Sequence, residues 1–370
     1  MAGASPRHAR QTILPEVGVA GQTRLREASV LVIGAGGLGC PILLHLVAAG
    51  VGRLGLVDPD RVDVSNLQRQ VLYTTEDVGR LKTDAATLRL RALDPSVRLE
   101  SWPIPFTTDH AAEILPGFNL VLDGTDNFAS RYVIHDACRQ QGVPLVQGSV
   151  LRFAGQLTTF SPDGPCYRCL FPEPPAAAPS CADAGVLGVL PGVMGGLMAT
   201  EALKWLLGVG HSLIGRFLRY DALAMTFHET TYARDPECPG CSPTALTQPA
   251  AQRPSPICGP PPETLMKTLE VESLRDWLSR PGAPVVLDVR EPHEWALCRI
   301  PGALHIPLGE LAGRAAELPP DRPVVVNCHH GMRSARAATF LLASGRTEVY
   351  NLTGGIHAWA ERIDPSMPRY

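Results

Sequence analysis

Three groups of residues in this chain have the types and spacing to do chemistry. The first is a glycine turn, Gly34-Ala35-Gly36-Gly37-Leu38-Gly39, that follows the apolar run "VLVI". Small residues there let backbone amides approach phosphate oxygens, and a helix N-terminus just behind favours negative charge. Asp58 stands at the end of the next aliphatic run, "RLGLVDPD", where a carboxylate can grip ribose hydroxyls. This much fits a nicotinamide or flavin dinucleotide equally well. Asn66 and Arg69 in "VDPDRVDVSNLQRQ", then Lys82 in "GRLKTDAA", tip the balance. A dinucleotide's pyrophosphate is satisfied by the glycine turn, whereas a triphosphate's extra anionic oxygens suit an Arg fork and a Lys point charge. Asp126, in "DGTDN", has the chemistry to hold Mg2+ between phosphates. Taken singly, Arg69 and Lys82 read as solvated charges and Asp126 as a turn former. Together and in this order they read as a triphosphate site.

The second group is two CxxC pairs, Cys166/Cys169 and Cys238/Cys241. Four thiolates in two knuckles suit a closed tetrahedral zinc site. The separation is longer than in a small zinc ribbon, so spacing leaves a redox pair open, although neither pair has a thioredoxin-like context. The third group is "VVVNCHHGMRSARAA", with Cys328 between an apolar strand and a helix. Residues 328–333 are expected to wrap into a loop with inward amides. The helix N-terminus, Arg333 and His329 or His330 would lower the thiol's pKa and hold the charge of a terminal persulfide. A buried inert cysteine and a tyrosine phosphatase loop are the rivals; phosphatase loops run one residue longer, to admit phosphate. Cys181, in the Pro/Ala-rich "PSCADAGVLG", is an isolated thiol that by itself reads as structural.

Elements that would position these groups are visible around them. "VLVIGAG", "RLGLVDPD", "NLVLDGTDN" and "VPLVQGSV" are short aliphatic strands, each followed by a turn or helical stretch, as in an α/β fold with a parallel sheet and helices on its faces. Residues 193–207 predict an apolar helix buried in the core or at a subunit contact. Residues 242–262, "SPTALTQPAAQRPSPICGPPP", read as a semi-rigid linker. Strand and helix then alternate again through "LRDWLSR", "PVVLDVR", "RPVVVNC", "ARAATFLLASG" and "VYNLTGG". The chain of 370 residues is thus expected to divide into domains at 1–241 and 263–370.

Composition narrows the class. Apolar residues make up 45% and charged residues 19%, which suits a globular chain, and a net charge of −3 argues against a dedicated nucleic-acid binder. The N-terminal residues lack the apolar core of a signal peptide, and glycines and Pro41 cut the charge-free run between Ala28 and Arg53, so neither export nor a membrane span is expected. A cytoplasmic location follows, where ten cysteines suggest metal ligation or thiol chemistry rather than disulfides.

Residues 8–242, through "RQTIL", "GAGGLG", "VDPDRVDVSNLQRQ", "GRLKTDAA", "DGTDN" and "PCYRCL", resemble the MoeB/ThiF family, relatives of ubiquitin-activating enzymes. The resemblance implies a Rossmann-like, mostly parallel sheet and ATP-dependent adenylation of the C-terminal Gly-Gly carboxylate of a ubiquitin-like sulfur-carrier protein. It also implies Asp58 on the ribose, Asn66, Arg69 and Lys82 on the phosphates, Asp126 on Mg2+, and Arg10 reaching the other subunit's phosphates across a homodimer. It pairs the four cysteines on Zn2+, and in members fused to a sulfur domain it makes Cys181 a candidate resolving thiol. Residues 263–370, through "LDVREPHEW", "IPGALHIPL", the Cys328 loop and "NLTGGIHAW", resemble rhodanese, a smaller α/β domain that carries sulfane sulfur as a persulfide. Asp288 and Arg290 would support its loop, and Cys298 stands where glycine is common. Tethering the two halves raises the effective concentration of the sulfur nucleophile. Thiosulfate or an upstream persulfide would charge Cys328. The competing readings are a nicotinamide oxidoreductase with a rhodanese appendage, for which no Tyr-x-x-x-Lys pair stands out, and a non-catalytic scaffold.

Overall fold

The computed structural model describes residues 6–172, 185–241 and 267–369. The chain divides into two compact units, Met1–Cys258 and Gly259–Tyr370. Cys181 and the expected linker, 242–262, lie outside the described residues.

In the first unit the four aliphatic segments form β1 (Ser29–Ile33), β2 (Arg53–Val57), β4 (Leu120–Asp123) and β5 (Leu145–Leu151), with β3 (Arg98–Trp102) added beside β2. These five run parallel in the order β3-β2-β1-β4-β5. β6 (Ala154–Phe160), β7 (Arg216–Asp221) and β8 (Thr226–Thr231) extend the sheet antiparallel. The inner strands are buried on both faces, which is why they read as unbroken aliphatic runs rather than alternation. Edge strand β3, RLESW, has no such run and gave no sequence signal. The strand order reverses between β1 and β4, and their carboxyl ends open the crevice in which such sheets bind ligands.

Helices α1 (Gly39–Ala49), α2 (Lys82–Leu93), α3 (Phe128–Gln140) and α4 (Leu190–Leu207) frame that crevice. α4 starts three residues before the predicted 193–207 because Pro191 is tolerated in a first turn, and it ends at Gly208 in a left-handed conformation. It belongs to the core. A Cβ at Gly148 would lie 2.4 Å from Met198 Sδ, and one at Gly155 would lie 2.4 Å from Met194 Sδ, so both sulfurs fill hollows that only glycine leaves. Among the described residues no helix is long and apolar enough to cross a membrane.

The second unit is a parallel sheet of β9 (Lys267–Leu269), β10 (Val285–Asp288), β11 (Leu304–His305), β12 (Val324–Asn327) and β13 (Val349–Leu352), in the order β11-β10-β12-β13-β9. β9 and β11 are too short to show a period in the sequence. α5 (Pro292–Leu297), α6 (Met332–Ala343) and α7 (Gly355–Arg362) follow β10, β12 and β13 respectively. Cys328 leaves the end of central strand β12.

Candidate functional site

The glycine turn is built by backbone constraints. Gly34 has φ +92°, and its N–H donates to the Val57 carbonyl at 2.8 Å. A Cβ at Gly39 would sit 1.9 Å from the Gly34 carbonyl oxygen, so the turn closes tightly only around glycine. The Tyr73 hydroxyl donates to the Ala35 carbonyl at 2.8 Å and pins the turn from below.

Above this turn lies a cavity of about 600 Å³. Gly34, Gly36, Gly37, Asp58, Asn66, Arg69, Lys82 and Asp126 all line it, so eight of the residues named from sequence share one wall system. Gly39 sits beneath the turn instead. Arg10 lies exposed on the short helix Ala9–Thr12, outside the cavity lining.

Asp58 directly follows β2 and is buried. Its Oδ2 accepts from the Ala35 N–H at 2.7 Å and its Oδ1 from the Asp60 N–H at 2.9 Å. Burial pushes its carboxyl above the usual range, and the charge of Lys82, with Nζ 3.9 Å from Oδ1, opposes that rise. Lys82 opens α2 and donates to Asp60 at 2.7 Å. Asn66 ends a one-turn helix in which its Oδ1 accepts from the Asp63 N–H at 3.2 Å. Arg69 Nη1 donates to the Ser65 carbonyl at 3.0 Å. The exposed Asp126 carboxylate forms part of the wall after β4.

Further polar lining was not singled out from sequence: Asp60, Arg61, Gln70, Asn127, Ser130 and Arg131. Arg131 is buried in the first turns of α3, and its Nη2 donates to the Thr125 carbonyl at 3.4 Å. It offsets the charge of Asp123, whose carboxyl burial pushes upward. A cation five positions after Asp126, at the start of a helix following an acid-rich turn, was the available signal.

The four cysteines meet at the other end of this unit. Sγ–Sγ distances are 3.4 Å for Cys166–Cys238, 3.4 Å for Cys169–Cys241 and 3.8 Å for Cys166–Cys169, and all four sulfurs lie within 4.8 Å of one another. Four thiolates at roughly 2.3 Å from a tetrahedral ion are roughly 3.8 Å apart, so the cluster fits Zn2+. The thiols are free rather than disulfide-bonded. Backbone N–H groups of Asp235 and Gly240 point at the sulfurs of Cys169 and Cys238, each at 3.4 Å.

Arg168, inside the first knuckle, ties the cluster to α3. Its Nη2 donates to Asp136 Oδ2 at 2.8 Å. The Tyr167 N–H donates to His135 Nε2 at 3.1 Å, and His135 Nδ1 lies 3.3 Å from Asp136 Oδ1. An accepting Nε2 leaves the proton on Nδ1, which agrees with burial holding His135 neutral. Burial alone would raise Asp136, but hydrogen bonds from His135 and Arg168 bring it down to about 2. A carboxyl depressed in the fold stabilises fully above its unfolded value of 3.8, and that contribution is lost as pH falls from there through about 2. Asp136→Asn is therefore expected to cost about 2 kcal/mol at pH 7 and to flatten the acid limb of the stability curve. Urea unfolding from neutral pH down to the acid limb checks both effects.

In the second unit Cys328 is buried, and its Sγ receives the Gly331 N–H at 3.1 Å and the Ser334 hydroxyl at 3.3 Å. α6 begins at Met332, so Met332 and Arg333 of the expected loop are already helical. Arg333, expected to hold charge at sulfur, instead directs its two Nη atoms to the Glu294 carboxylate at 2.5 and 2.7 Å. Asp288 and Arg290 form the buried support expected of them. Arg290 Nη2 donates to Asp288 at 2.7 Å and to the Cys298 carbonyl at 2.8 Å, while Asn327 Nδ2 donates to Asp288 at 2.8 Å. Cys298 has φ −161°, extended backbone that needs no glycine.

A glycine-turn cavity at a sheet switch point, followed in the chain by a cysteine loop on a parallel sheet, defines a nucleotide-binding unit joined to a sulfur-handling unit. The ThiF family profile matches residues 8–240, and the rhodanese-like domain profile matches residues 270–362. The chain belongs to the ThiF family, with a C-terminal rhodanese-like domain, and is an enzyme of the adenylyltransferase/sulfurtransferase type. It is 42% identical to the probable adenylyltransferase/sulfurtransferase MoeZ of Mycobacterium tuberculosis, over 98% of this chain and 95% of that one. It is 40% identical to mouse adenylyltransferase and sulfurtransferase MOCS3, over 98% and 87%. A sulfur carrier protein adenylyltransferase of Thermus thermophilus is 56% identical over 64% of this chain and 90% of its own. Among solved structures, E. coli MccB with ATP shares the fold at 20% identity and TM-score 0.56, over 65% of this chain and 75% of that one.

Proposed function

We propose that this enzyme uses ATP to activate the C-terminal Gly-Gly carboxylate of a ubiquitin-like sulfur-carrier protein and then replaces the activating group with sulfur. The observation that carries the reading is the convergence of Asp58, Asn66, Arg69, Lys82 and Asp126 on one cavity above the glycine turn. The Thermus relative, named for a sulfur carrier protein, supports the choice of acceptor.

In this reading the carrier's carboxylate oxygen attacks the α-phosphorus of ATP and pyrophosphate leaves, giving an acyl-adenylate. Both reactants are anions, so Arg69 and Lys82 screen their repulsion and meet the charge that develops on the phosphates; no general base is required. Asp58 orients the ribose. Asp126 would hold Mg2+, which supplies charge neutralisation at the phosphates. The four cysteines would hold Zn2+ as a structural tie, and Arg10 would complete the partner subunit's site in a homodimer. Residues 1–241 carry this half of the reaction, and 242–262 tether it to the sulfur domain at 263–370.

Thiosulfate or an upstream persulfide first leaves its sulfane sulfur on Cys328. The terminal sulfur of that persulfide attacks the acyl carbon and AMP departs. A thiol, for which Cys181 is the candidate, then attacks the Cys328 sulfur of the acyl-disulfide. The carrier leaves as a thiocarboxylate, and the resulting protein disulfide is reset by a thiol reductant. The cytoplasm, where such reductants are abundant, is the setting proposed for this chemistry. The products serve biosynthesis of sulfur-containing cofactors, thiolated tRNA or sulfur amino acids.

Mass spectrometry of Gly-Gly-tailed carriers incubated with the enzyme, Mg-ATP and thiosulfate tests the proposal. The expected result is a carboxylate-to-thiocarboxylate mass shift on at least one carrier. Absence of both that shift and carrier-dependent ATP–pyrophosphate exchange across all carriers would overturn it.

A further inference from the structure

In and beside the Cys328 loop stands a group of side chains to which the proposed sulfur transfer assigns no step. His329 and His330 follow Cys328 directly, and His357 comes from the first turn of α7. Ring centroids are 4.1 Å apart for His329–His330, 4.8 Å for His330–His357 and 5.8 Å for His329–His357. One ring nitrogen from each lies within 4.8 Å of the other two. We propose that His329, His330 and His357 form a second metal site, a three-imidazole face for a borderline divalent cation such as Zn2+.

Three observations support it. Neutral imidazole nitrogens are the donors that Zn2+ and its neighbours prefer, at roughly 2.0–2.1 Å, which in a tetrahedral set puts them roughly 3.4 Å apart, inside the 4.8 Å that bounds them here. His357 Nδ1 is buried without a hydrogen-bond partner, an uncommon state for a polar atom that metal ligation through that nitrogen would account for. The frame is also fixed in advance. The Ile356 N–H donates to the Cys328 carbonyl at 2.8 Å and the His357 N–H to the His329 carbonyl at 3.1 Å. A Cβ at Gly355 would lie 2.3 Å from the Cys328 carbonyl oxygen and 2.5 Å from that of His329, so only glycine allows α7 to press this closely on the loop. His330 is exposed, leaving a solvent side through which the ion can enter.

The test is calorimetric titration of the full chain, already charged with one equivalent of Zn2+ per chain, with further Zn2+. The parent is expected to take up one more ion per chain. His330→Ala and His357→Ala are each expected to weaken that second event about tenfold or more, since even outer-shell partners of metal ligands are commonly worth that much. Because His330 is exposed, its replacement does not threaten the fold. Absence of a second ion in the parent, or equal affinity in either variant, would overturn the site.

Discussion

Cys328→Ala is expected to abolish sulfur transfer from thiosulfate to cyanide and to leave carrier-dependent ATP–pyrophosphate exchange within about twofold of the parent. The two readouts separate because the glycine-turn cavity and the cysteine loop are built on different sheets. Alanine also leaves the Gly331 N–H and the Ser334 hydroxyl without the sulfur they donate to, a loss of about 1–3 kcal/mol if neither finds another partner. Cys328→Ser separates chemistry from structure. Its hydroxyl keeps an acceptor for both donors but is a poor sulfur acceptor at neutral pH, so it is expected to fold like the parent and remain inactive. Appreciable cyanide-dependent turnover in both variants would remove Cys328 from the reaction.

Lys82→Ala is the complementary experiment on the first half. Lys82 is the buried cation on the cavity wall nearest Asp58 and Asp60, at 3.9 and 2.7 Å. Removing a fixed charge aimed at a developing anion typically costs roughly 100- to 1,000-fold in turnover. Carrier-dependent pyrophosphate exchange is expected to fall by that range, mainly in kcat. A second consequence concerns pH. Lys82 opposes the upward push of burial on Asp58, so its loss raises that carboxyl further. Asp58 then protonates at higher pH, and the variant's KM for ATP is expected to climb on mild acidification before the parent's does. A KM profile that tracks the parent's across the acid range would show that Lys82 and Asp58 do not act on one site.

How much of this was legible beforehand depended on distance along the chain. The nucleotide cavity could be read because its parts arrive in order at successive strand ends, and an aliphatic strand buried on both faces advertises itself. The paired CxxC elements were legible for a related reason: each knuckle is local, so only their meeting had to be supplied. What escaped were partners set by the fold alone. Glu294 receives Arg333 from 39 positions away, and nothing near either residue signals the pair. The sequence reading had Arg333 help hold charge at sulfur; it named neither the Glu294 pairing nor the Gly331 and Ser334 donors that reach the sulfur. His135 and Asp136, which brace the cysteine cluster through Tyr167 and Arg168, sit in an ordinary-looking helix. Edge strand β3 was invisible because exposure lets charged residues into it.

The glycine hollows under α4 have a reach beyond the core they fill. The same helix brings Pro191 against Gly37, where a Cβ would meet the proline ring at 3.0 Å, and Gly195 against Pro41 of α1, where a Cβ would meet it at 2.4 Å. α4 therefore acts as a strut wedged between β5 and β6 on one side and the glycine turn on the other. Bulk added at Gly148 or Gly155 meets the thioether of Met198 or Met194 first, and what that side chain does not absorb is expected to pass along the strut toward Gly37, so a fault seeded well below the crevice registers where the nucleotide would lie.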